Sequence, residues 1–365
     1  MHLITDKFDK SNYFLENNKK KILVAPLNWG LGHATRCIPI IKGLIDTGFE
    51  PVLASDGVAL NLLKKEFPSL VSFELPSYNI KYAEKGKNFK WKMMAQLPQI
   101  ISAIKKERRM LSKLVNCYQF DGIISDNRLG AYSKDIPCVF ITHQLNVLTG
   151  KTSWITTKLH SKYIRKFNEC WVPDIETTPN LSGKLGHLVE PLKNVKYIGP
   201  LSRLHKKPAT VKYDLMVILS GPEPQRSILE KILISELKNY PNKVLFIKGI
   251  VESNQKIKER KNITFYNYMN SADLEIAFNE SEKILCRSGY TTVMDLAKLS
   301  KKAFFIPSPC QYEQEYLAKK FKLEGIAPSC RQDKFTLDKL EKIDLYRGFI
   351  NYSEKITWKE LFSLF

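Results

Sequence analysis

Two glycine-bearing turns, one in each half of the chain, each lie between an apolar strand-like segment and a helical segment. The first follows residues 21–26 (KILVAP) and ends at His33 in the sequence NWGLGH. The second follows residues 283–285 and opens the sequence CRSGYTTVMDLA at residues 286–297. Short, uninterrupted apolar runs are typical of parallel strands that are buried on both faces. The pattern predicts two βαβ units, each with its turn at the carboxyl end of a strand, where open α/β sheets bind ligands.

The turn at 286–289 predicts an anion-binding site, because it leads into the first turn of a helix. Backbone N–H groups there are unpaired and lie at the positive end of the helix dipole, which favours phosphates. Asp295 lies one to two turns further along, within reach of a sugar hydroxyl. The first turn has Thr35 and no third glycine, so it is a poor match to the G-x-G-x-x-G fingerprint of dinucleotide sites.

The length of 365 residues exceeds that of most single domains, so we expect two domains. The alternation of strands and helices restarts at Tyr213, after a stretch rich in glycine and proline at 179–199 that is typical of a linker. This favours two doubly wound α/β halves, joined near residue 200 around a cleft. Strands are predicted at 21–26, 51–54, 71–75, 122–126, 137–142, 169–173, 213–220, 243–247, 262–266, 283–286 and 302–307, helices at 91–115 and 152–167, and a solvated loop at 251–261.

The charge balance is the unusual feature of the composition, with 57 Lys and Arg against 37 Asp and Glu, a formal net charge of +20. A nucleic acid, an anionic membrane surface or a lysine-rich composition would each account for it. Zinc-finger spacing and an RNA-binding strand motif are both missing from the sequence, so we expect no nucleic-acid partner. The helix at 91–115 carries Trp91, Met93 and Met94 beside several Lys and Arg. Such a face is more often core, although it also suits an anionic bilayer surface.

The seven cysteines are scattered without a C-x-x-C pair, as in proteins of a reducing compartment. The residues before Lys21 contain no apolar signal-like segment, and the sequence has no apolar run long enough to span a bilayer. We therefore expect a cytoplasmic protein, peripheral on the inner face of the cell membrane if 91–115 binds there.

Several further motifs accompany the turn at 286–295. They are Pro307 with Gln314, Glu315 and Tyr316, the sequence HQLN at 143–146 with Gly150, the sequence GLGH at 30–33, and the sequence GPLSR at 199–203. Together they resemble the family 28 glycosyltransferases of the GT-B fold, which include the enzyme that adds N-acetylglucosamine to the lipid-linked peptidoglycan precursor. The resemblance runs from about residue 21 to 320.

The resemblance implies two Rossmann-like domains that face a central cleft. It places the acceptor-binding domain at 21–200, after an extension at 1–20, and the nucleotide-sugar domain at 201–345. GT-B enzymes generally close their two halves around the donor. We therefore expect residues 346–365 to form a helix that returns to the N-terminal domain.

The resemblance also implies roles for individual residues. Asp295, where the family usually has Glu, would bind the ribose of a uridine nucleotide, and residues 266–269 would contact the base. Gln314 and Glu315 would contact the donor sugar, while Ser288, Gly289 and Arg203 would bind the diphosphate. The other positions assigned to the donor site are Gly30, Gly32, Asn146, Ser220, Gly221, Arg287 and Thr291. Residues 220–226 (SGPEPQR) depart from the family's glycine-rich loop, since two prolines remove backbone donors.

Transfer of a sugar requires a general base for the acceptor hydroxyl and positive groups for the departing diphosphate. His33 is the candidate base, with Asp126 and Glu223 as alternates for that role, and His33 and Asp126 are the two residues assigned to catalysis. His33 and Asp126 could instead cap helices, Arg287 could pin its turn, and His143 could be either scaffold or ligand contact. The sequence has no D-x-D pair, so we expect no cofactor and no metal requirement.

These observations predict an inverting transfer of a sugar, an N-acetylhexosamine, from a UDP-sugar to a hydroxyl of a lipid-linked or cell-envelope glycan. Two alternatives stay open. Nucleotide-sugar hydrolases of acidic-sugar synthesis have a similar G-H-x-x-R-C start, which this chain shows at 32–37. A nucleotide-sugar-binding partner protein without catalysis would need the same donor site.

Overall fold

The computed structural model describes residues 19–78, 89–148, 153–250, 252, 254–350, 352 and 356–365, with the backbone alone at 89–97 and 155. Nearly all of the predicted extension at 1–20 lies outside these residues, as does Gly150. The side chains of Trp91, Met93 and Met94 lie outside the description as well.

The first half of the chain forms one parallel sheet with the strand order β3-β2-β1-β4-β5-β6-β7. Its strands are β1 (Lys21–Pro26), β2 (Glu50–Ser55), β3 (Ser72–Glu74), β4 (Gly122–Asp126), β5 (Cys138–Ile141), β6 (Glu169–Val172) and β7 (Val195–Tyr197). Residues of β1, β4 and β5 are buried almost throughout, which explains why their sequences are apolar without alternation.

The second half forms another sheet, with the order β10-β11-β9-β8-β12-β13, in which β10 alone among the described strands runs antiparallel. Its strands are β8 (Tyr213–Ile218), β9 (Val244–Ile247), β10 (Ile257–Arg260), β11 (Ile263–Tyr266), β12 (Ser281–Cys286) and β13 (Lys302–Phe305). The two doubly wound halves confirm the predicted α/β fold class.

The helices of the described residues pack on the faces of these sheets. They are α1 (Gly32–Asp46), α2 (Gly57–Glu66), α3 (Phe89–Tyr118), α4 (Ser153–Ile164), α5 (Gln225–Glu236), α6 (Ser271–Asn279), α7 (Tyr290–Leu299), α8 (Tyr312–Leu323) and α9 (Trp358–Leu361).

Two predictions for connecting segments are wrong. Residues 251–261 were expected as a loop, but Ile257–Arg260 is an edge strand. Its four side chains are exposed, so its sequence lacks the apolar run that is typical of a buried strand. Residues 179–199 were expected as a linker, but they contain a 3₁₀ turn at Gly183–Leu185 and the short edge strand β7.

Residues 356–365 pack on the first domain. The described part of 346–365 does not form one helix as predicted: it contains the short helix α9 and a 3₁₀ turn at Phe362–Leu364, and Phe349 packs on Phe321 of the second domain. The ring of Trp358 covers Gly43 on α1, and Phe362 packs against Phe49 and Trp171 with ring centroids 5.9 and 6.1 Å apart. One apolar core runs through α1, α7 and this segment. The two domains therefore share a packed interface beneath the cleft.

Candidate active site

The carboxyl ends of the two sheets meet at the cleft, and the predicted site residues lie there. His33 follows β1 in the first turn of α1, and Asp126 is the last residue of β4. Thr291, in the first turn of α7, donates from Oγ1 to the carbonyl of Gly32 at 3.3 Å. Helices α1 and α7 therefore begin beside each other, one from each domain.

His33 pairs through its Nδ1 atom with Asp126. The distance from Nδ1 to Asp126 Oδ1 is 2.8 Å, and the His33 side chain is 12% exposed while Asp126 is fully buried. Arg36, one turn along α1, donates from Nε and Nη2 to the two carboxylate oxygens of Asp126. Because Asp126 engages Nδ1, the Nε2 atom of His33 is the nitrogen left for proton transfer.

Burial and charge shift the pKa of both groups. Burial lowers the pKa of His33, and Arg36 adds to this effect against the opposing influence of Asp126. Burial alone would raise the pKa of Asp126, but Arg36 and His33 more than offset it and hold this pKa well below its usual range. At neutral pH the pair is therefore a neutral imidazole oriented by a carboxylate, which is the arrangement of a general base.

His143, in the loop after β5, connects this pair to the second domain. Its Nδ1 atom lies 2.8 Å from Arg36 Nη1, and its Nε2 atom lies 3.2 Å from Oε1 of Glu313 in α8. The imidazole also stacks on Tyr290 of α7, with centroids 4.4 Å apart and an interplanar angle of 4°. A second contact to Glu313 comes from Gln144, whose amide nitrogen donates to its carboxylate.

Glu313, Arg36 and Tyr290 were not among the predicted site residues. Glu313 stands next to Gln314 and Glu315, but only the orientation of α8 shows which of these three side chains faces His143. Burial opposes ionisation of Glu313, yet its contact with His143 more than offsets this and keeps its pKa below the usual range.

In the turn at 286–289, the side chain of Arg287 holds the turn in place, while the backbone at Gly289 is open to a ligand. Arg287 is buried and donates to the carbonyls of Ile306, Pro307 and Gln225 and to the side chain of Gln332, so its guanidinium fixes the turn. Its burial lowers the pKa of Arg287 to about 10. These contacts favour the alternative in which Arg287 pins its turn, and the assignment of its side chain to ligand binding stays a prediction.

Ser288 and Gly289 follow Arg287 in this turn. The Ser288 hydroxyl donates to the carbonyl of Gln314 at 2.7 Å, which leaves its backbone as the part for a ligand. Gly289 is the N-cap of α7 and has no side chain to cap it, and the space where a Cβ would stand is open. The Glu313 carboxylate interacts with the backbone N–H of Tyr290, the first residue of the helix. The start of α7 thus has the features of an anion site.

The side chains of Gln314 and Glu315 form hydrogen bonds with the loop that precedes α8. Gln314 is buried, accepts from the backbone N–H of Ser308 at 2.8 Å and donates to Gln311. Glu315 is exposed, accepts from the backbone N–H of Cys310 and lines an open depression of about 400 Å³.

Asp295 lies at the domain junction, one turn into α7. Its Oδ1 atom accepts from the Ser202 hydroxyl at 2.6 Å, and its pKa is raised to about 6, mainly by burial. Arg203 donates to Ser271 and lies 3.8 Å from Glu66 of the first domain, while its buried Nε atom has no partner. The role of Asp295 in binding ribose and that of Arg203 in binding the diphosphate stay predictions.

The remaining predicted positions lie in loops around the cleft. Gly30 has a φ of +76° and Gly221 a φ of +103°, both in the region that favours glycine. Ser220 is exposed, and the Asn146 side chain accepts from Thr157 of α4 at 3.0 Å.

Two further predictions concern Glu223 and the base-contacting segment. Glu223 is exposed and paired with Arg226 of its own domain. In the segment 266–269, the Asn267 side chain is buried and bonds to Lys256, Glu252 and Asn254 of the preceding loop.

A second buried polar network supports the first-domain loop. Arg128 donates to Glu107 of α3 and to Asp56 at 2.6 Å, and Asp56 accepts from Asn28 at 3.0 Å. Tyr78 donates to the other oxygen of Glu107 at 2.6 Å. The loop that carries Gly30 and His33 is therefore tied to α3 through charged groups.

Two features are absent from the described residues. Over the described ranges, His, Cys, Asp and Glu side chains do not gather into a group of three that could hold a metal ion. Of the helices in the part of the chain that the structure describes, none has both the length and the apolar character to cross a membrane.

Known proteins resemble both the sequence and the structure. Residues 226–345 match the model of the glycosyltransferase family 28 C-terminal domain. The UDP-N-acetylglucosamine--N-acetylmuramyl-(pentapeptide) pyrophosphoryl-undecaprenol N-acetylglucosamine transferase of Wigglesworthia glossinidia brevipalpis is 22% identical over 345 residues, which cover 90% of this chain and 89% of the relative. An uncharacterized glycosyltransferase of Methanosarcina mazei is 24% identical over 338 residues, 84% of each chain.

Among solved structures, the glycotransferase of kitacinnamycin matches with a TM-score of 0.62 at 15% identity over 89% of each chain. MurG of Acinetobacter baumannii matches with a TM-score of 0.53 at 16% identity, over 90% of this chain and 92% of that one.

The fold and the domain match define the class: the protein is a glycosyltransferase with the GT-B fold, as predicted. Within that class, it resembles the family 28 glycosyltransferases through the domain match at 226–345, and its sequence is similar to those of N-acetylglucosamine transferases that act on lipid-linked muramyl intermediates.

Proposed function

We propose that the protein transfers an N-acetylhexosamine from a UDP-sugar to a hydroxyl of a lipid-linked or cell-envelope glycan, with inversion at the anomeric carbon. The observation that carries the proposal is the contact between Gly32 and Thr291. It brings His33 close to the start of α7. A base and an anion site side by side are what transfer from a nucleotide diphosphate requires.

In this mechanism, His33 Nε2 accepts the proton of the acceptor hydroxyl as its oxygen bonds to the anomeric carbon. The bond from that carbon to the diphosphate oxygen breaks, and UDP leaves with the electron pair. The N–H groups at the start of α7 would stabilise the charge on the departing diphosphate. Asp126 would stabilise the imidazolium through Nδ1.

The donor is tested first by thermal shift with UDP, UDP-N-acetylglucosamine, and the guanosine, cytidine and deoxythymidine diphosphates. We expect a rise in melting temperature with the uridine ligands, reduced in Asp295→Ala, since ligands stabilise the state that they bind. A rise with another nucleotide alone, or with none, would overturn the uridine donor.

The reaction is tested by following UDP release with and without a polyprenyl-diphosphate-linked sugar as acceptor. Transfer requires acceptor-dependent release and a product whose anomeric configuration, determined by NMR, is opposite to that of the donor. Free sugar released without acceptor would instead indicate a hydrolase, and donor binding without turnover would indicate a binding protein. We expect activity to persist in excess EDTA, since the start of α7 would supply the positive end of a dipole to the diphosphate; loss of activity restored by a divalent ion would contradict this.

The exposed face of α3 supports a second element of the proposal, contact with an anionic membrane. Lys105, Arg109 and Lys113 are exposed at four-residue spacing, so they lie on one side of the helix, beside Arg108. Clustered cationic side chains favour anionic lipid surfaces by about 1 kcal/mol each. Such contact would bring the cleft close to a lipid-linked acceptor.

This element is tested by sedimentation with vesicles of phosphatidylcholine with and without 30 mol% phosphatidylglycerol. Replacing Lys105, Arg109 and Lys113 by Gln should abolish binding to the anionic vesicles. The matched control replaces Lys258, Arg260 and Lys261 by Gln, because these exposed residues carry the same charge in the other domain. Equal binding by the two variants would contradict a specific role for α3.

A further inference from the structure

We propose that Glu313 is a positioning residue for His33: through His143, Arg36 and Asp126 it selects the imidazole tautomer of His33 that exposes Nε2 as the base. The inference rests on the proposed function, in which His33 accepts the acceptor's proton. It adds that a carboxylate of the donor-side domain completes a base located in the other domain.

The first step is the tautomer of His143. Arg36 can only donate, so the Nδ1 atom that lies 2.8 Å from Arg36 Nη1 must carry the lone pair. The proton of a neutral His143 is then on Nε2, where Glu313 Oε1 accepts it at 3.2 Å. Glu313 is therefore the group that stabilises this tautomer, because the amide nitrogen of Gln144, 3.5 Å from Nε2, is itself a donor.

The second step is the orientation of Arg36. Its guanidinium presents three nitrogens in one plane. With Nη1 directed to His143, Nε and Nη2 face the two oxygens of Asp126. If His143 carried its proton on Nδ1, that N–H group would face the Nη1–H group of Arg36. Two donors cannot form a hydrogen bond with each other, so the guanidinium would be displaced.

The third step is the tautomer of His33. Asp126 accepts from Nδ1 of His33 at 2.8 Å while Arg36 holds its carboxylate in place. Arg36 Nη2 also lies 2.8 Å from the same Nδ1 atom. Two groups therefore compete for this nitrogen: Asp126 favours a proton on Nδ1, whereas donation by Arg36 Nη2 favours a proton on Nε2. The hydrogen bond from Nη2 to Asp126 Oδ1 directs that donor to the carboxylate and so favours the proton on Nδ1.

The same contacts make the base dependent on domain closure. Tyr290 stacks on one face of His143, and Glu313 binds its edge. Both come from the second domain, on the helices that also carry Thr291 and Gln314. A donor that closes the domains would thereby set the tautomer of a residue on the acceptor side.

The test compares Glu313→Leu, which keeps the side-chain bulk and removes the acceptor, with wild type. Glu313→Gln retains an acceptor oxygen and serves as the conservative rescue. Glu341→Leu removes an exposed carboxylate of the same domain and is the matched control. The chain has six histidines, so two-bond ¹H–¹⁵N correlation spectra can report the tautomers of His33 and His143 directly.

In wild type we expect the proton on Nε2 of His143 and on Nδ1 of His33. In Glu313→Leu, His33 should show both tautomers, and kcat should fall by about tenfold or more, as for other residues that orient a functional histidine. The His33 tautomer together with kcat is the deciding readout rather than KM, because Glu313 also interacts with the backbone N–H of Tyr290 at the start of α7. Glu313→Gln should recover part of kcat, and Glu341→Leu should match wild type.

Unchanged His33 tautomers in Glu313→Leu, or a kcat equal to wild type, would overturn the proposal. If Glu313→Leu does not fold, Glu313→Ala is judged by the same two measurements. Wild-type protein without turnover on any sugar nucleotide would refute the proposed function instead, and the histidine spectra alone would then decide on Glu313.

Discussion

The hydroxyl of Ser202 donates to the carboxylate of Asp295 across 2.6 Å, joining the segment that connects the two domains to helix α7. This bond acts against the burial that raises the pKa of Asp295 to about 6. Ser202 thus stabilises the ionised form of the residue assigned to the ribose.

The affinity for UDP should depend on the protonation of Asp295. A ribose hydroxyl donates to the carboxylate, so binding favours its ionised form and weakens as the pH falls through about 6. Calorimetry should give a dissociation constant about tenfold higher at pH 5 than at pH 7.5 from this group. Asp295→Asn should lack this component, while any titration of UDP itself appears in both proteins. Identical pH dependence in the two would exclude Asp295 from the ribose site.

The same raised pKa has a consequence for stability without ligand. A carboxyl whose folded pKa exceeds its unfolded value binds more protons when folded, so its charge opposes folding at neutral pH. The free energy of unfolding should therefore rise as the pH falls from about 6 towards 4, relative to Asp295→Asn. Urea titrations of both proteins at several pH values would reveal the difference.

Asp126→Asn should lower kcat by about 100-fold or more, because an amide can donate to His33 Nδ1 and stabilise the wrong tautomer. It should also abolish an acid-dependent part of stability. The folded pKa of Asp126 is depressed, so its stabilisation is present above its unfolded pKa and disappears as the pH falls through the lower folded value. Steady-state kinetics with an acid unfolding series would check both effects. A variant with wild-type kcat would remove Asp126 from the mechanism.

Arg128→Met should destabilise the fold by about 3–5 kcal/mol, since it leaves Glu107 and Asp56 buried without their cation. Adding Glu107→Gln removes one of the two stranded charges, so the double variant should be more stable than the single one. Urea unfolding of both variants would measure this. Additive losses would show that the pair does not interact as the distances indicate.

Gly43→Ala should destabilise the protein, although alanine in a helix interior usually gains up to about 1 kcal/mol over glycine. The reason is that a Cβ at Gly43 would lie 2.5 Å from the Trp358 ring, which stacks on Phe362. In a Trp358→Ala background the same change should become stabilising. Thermal unfolding of the four proteins tests this reversal of sign, and an effect of the same sign in both backgrounds would contradict the packing.

The sequence was sufficient for the fold class, because buried parallel strands such as β4 and β12 are continuous apolar runs. It did not reveal β10, whose four residues are all exposed and pair only through the backbone. The sequence also indicated that His33 and Asp126 lie close together, since His33 follows β1 and Asp126 ends β4 of the same sheet. Glu313 was not predicted, because its contact with His143 depends on the rotation of α8 about its axis and on the approach of the other domain. The sequence left two roles open for the Arg287 side chain, because a motif cannot show that four protein acceptors surround the guanidinium.

The packing of residues 356–365 on the first domain means that the chain passes between the two domains twice, once near residue 200 and again after residue 345. Two covalent connections restrict the relative movement of the domains more than one would. The contacts of Tyr290 and Glu313 with His143 therefore form between domains that the chain joins at both ends of the second domain.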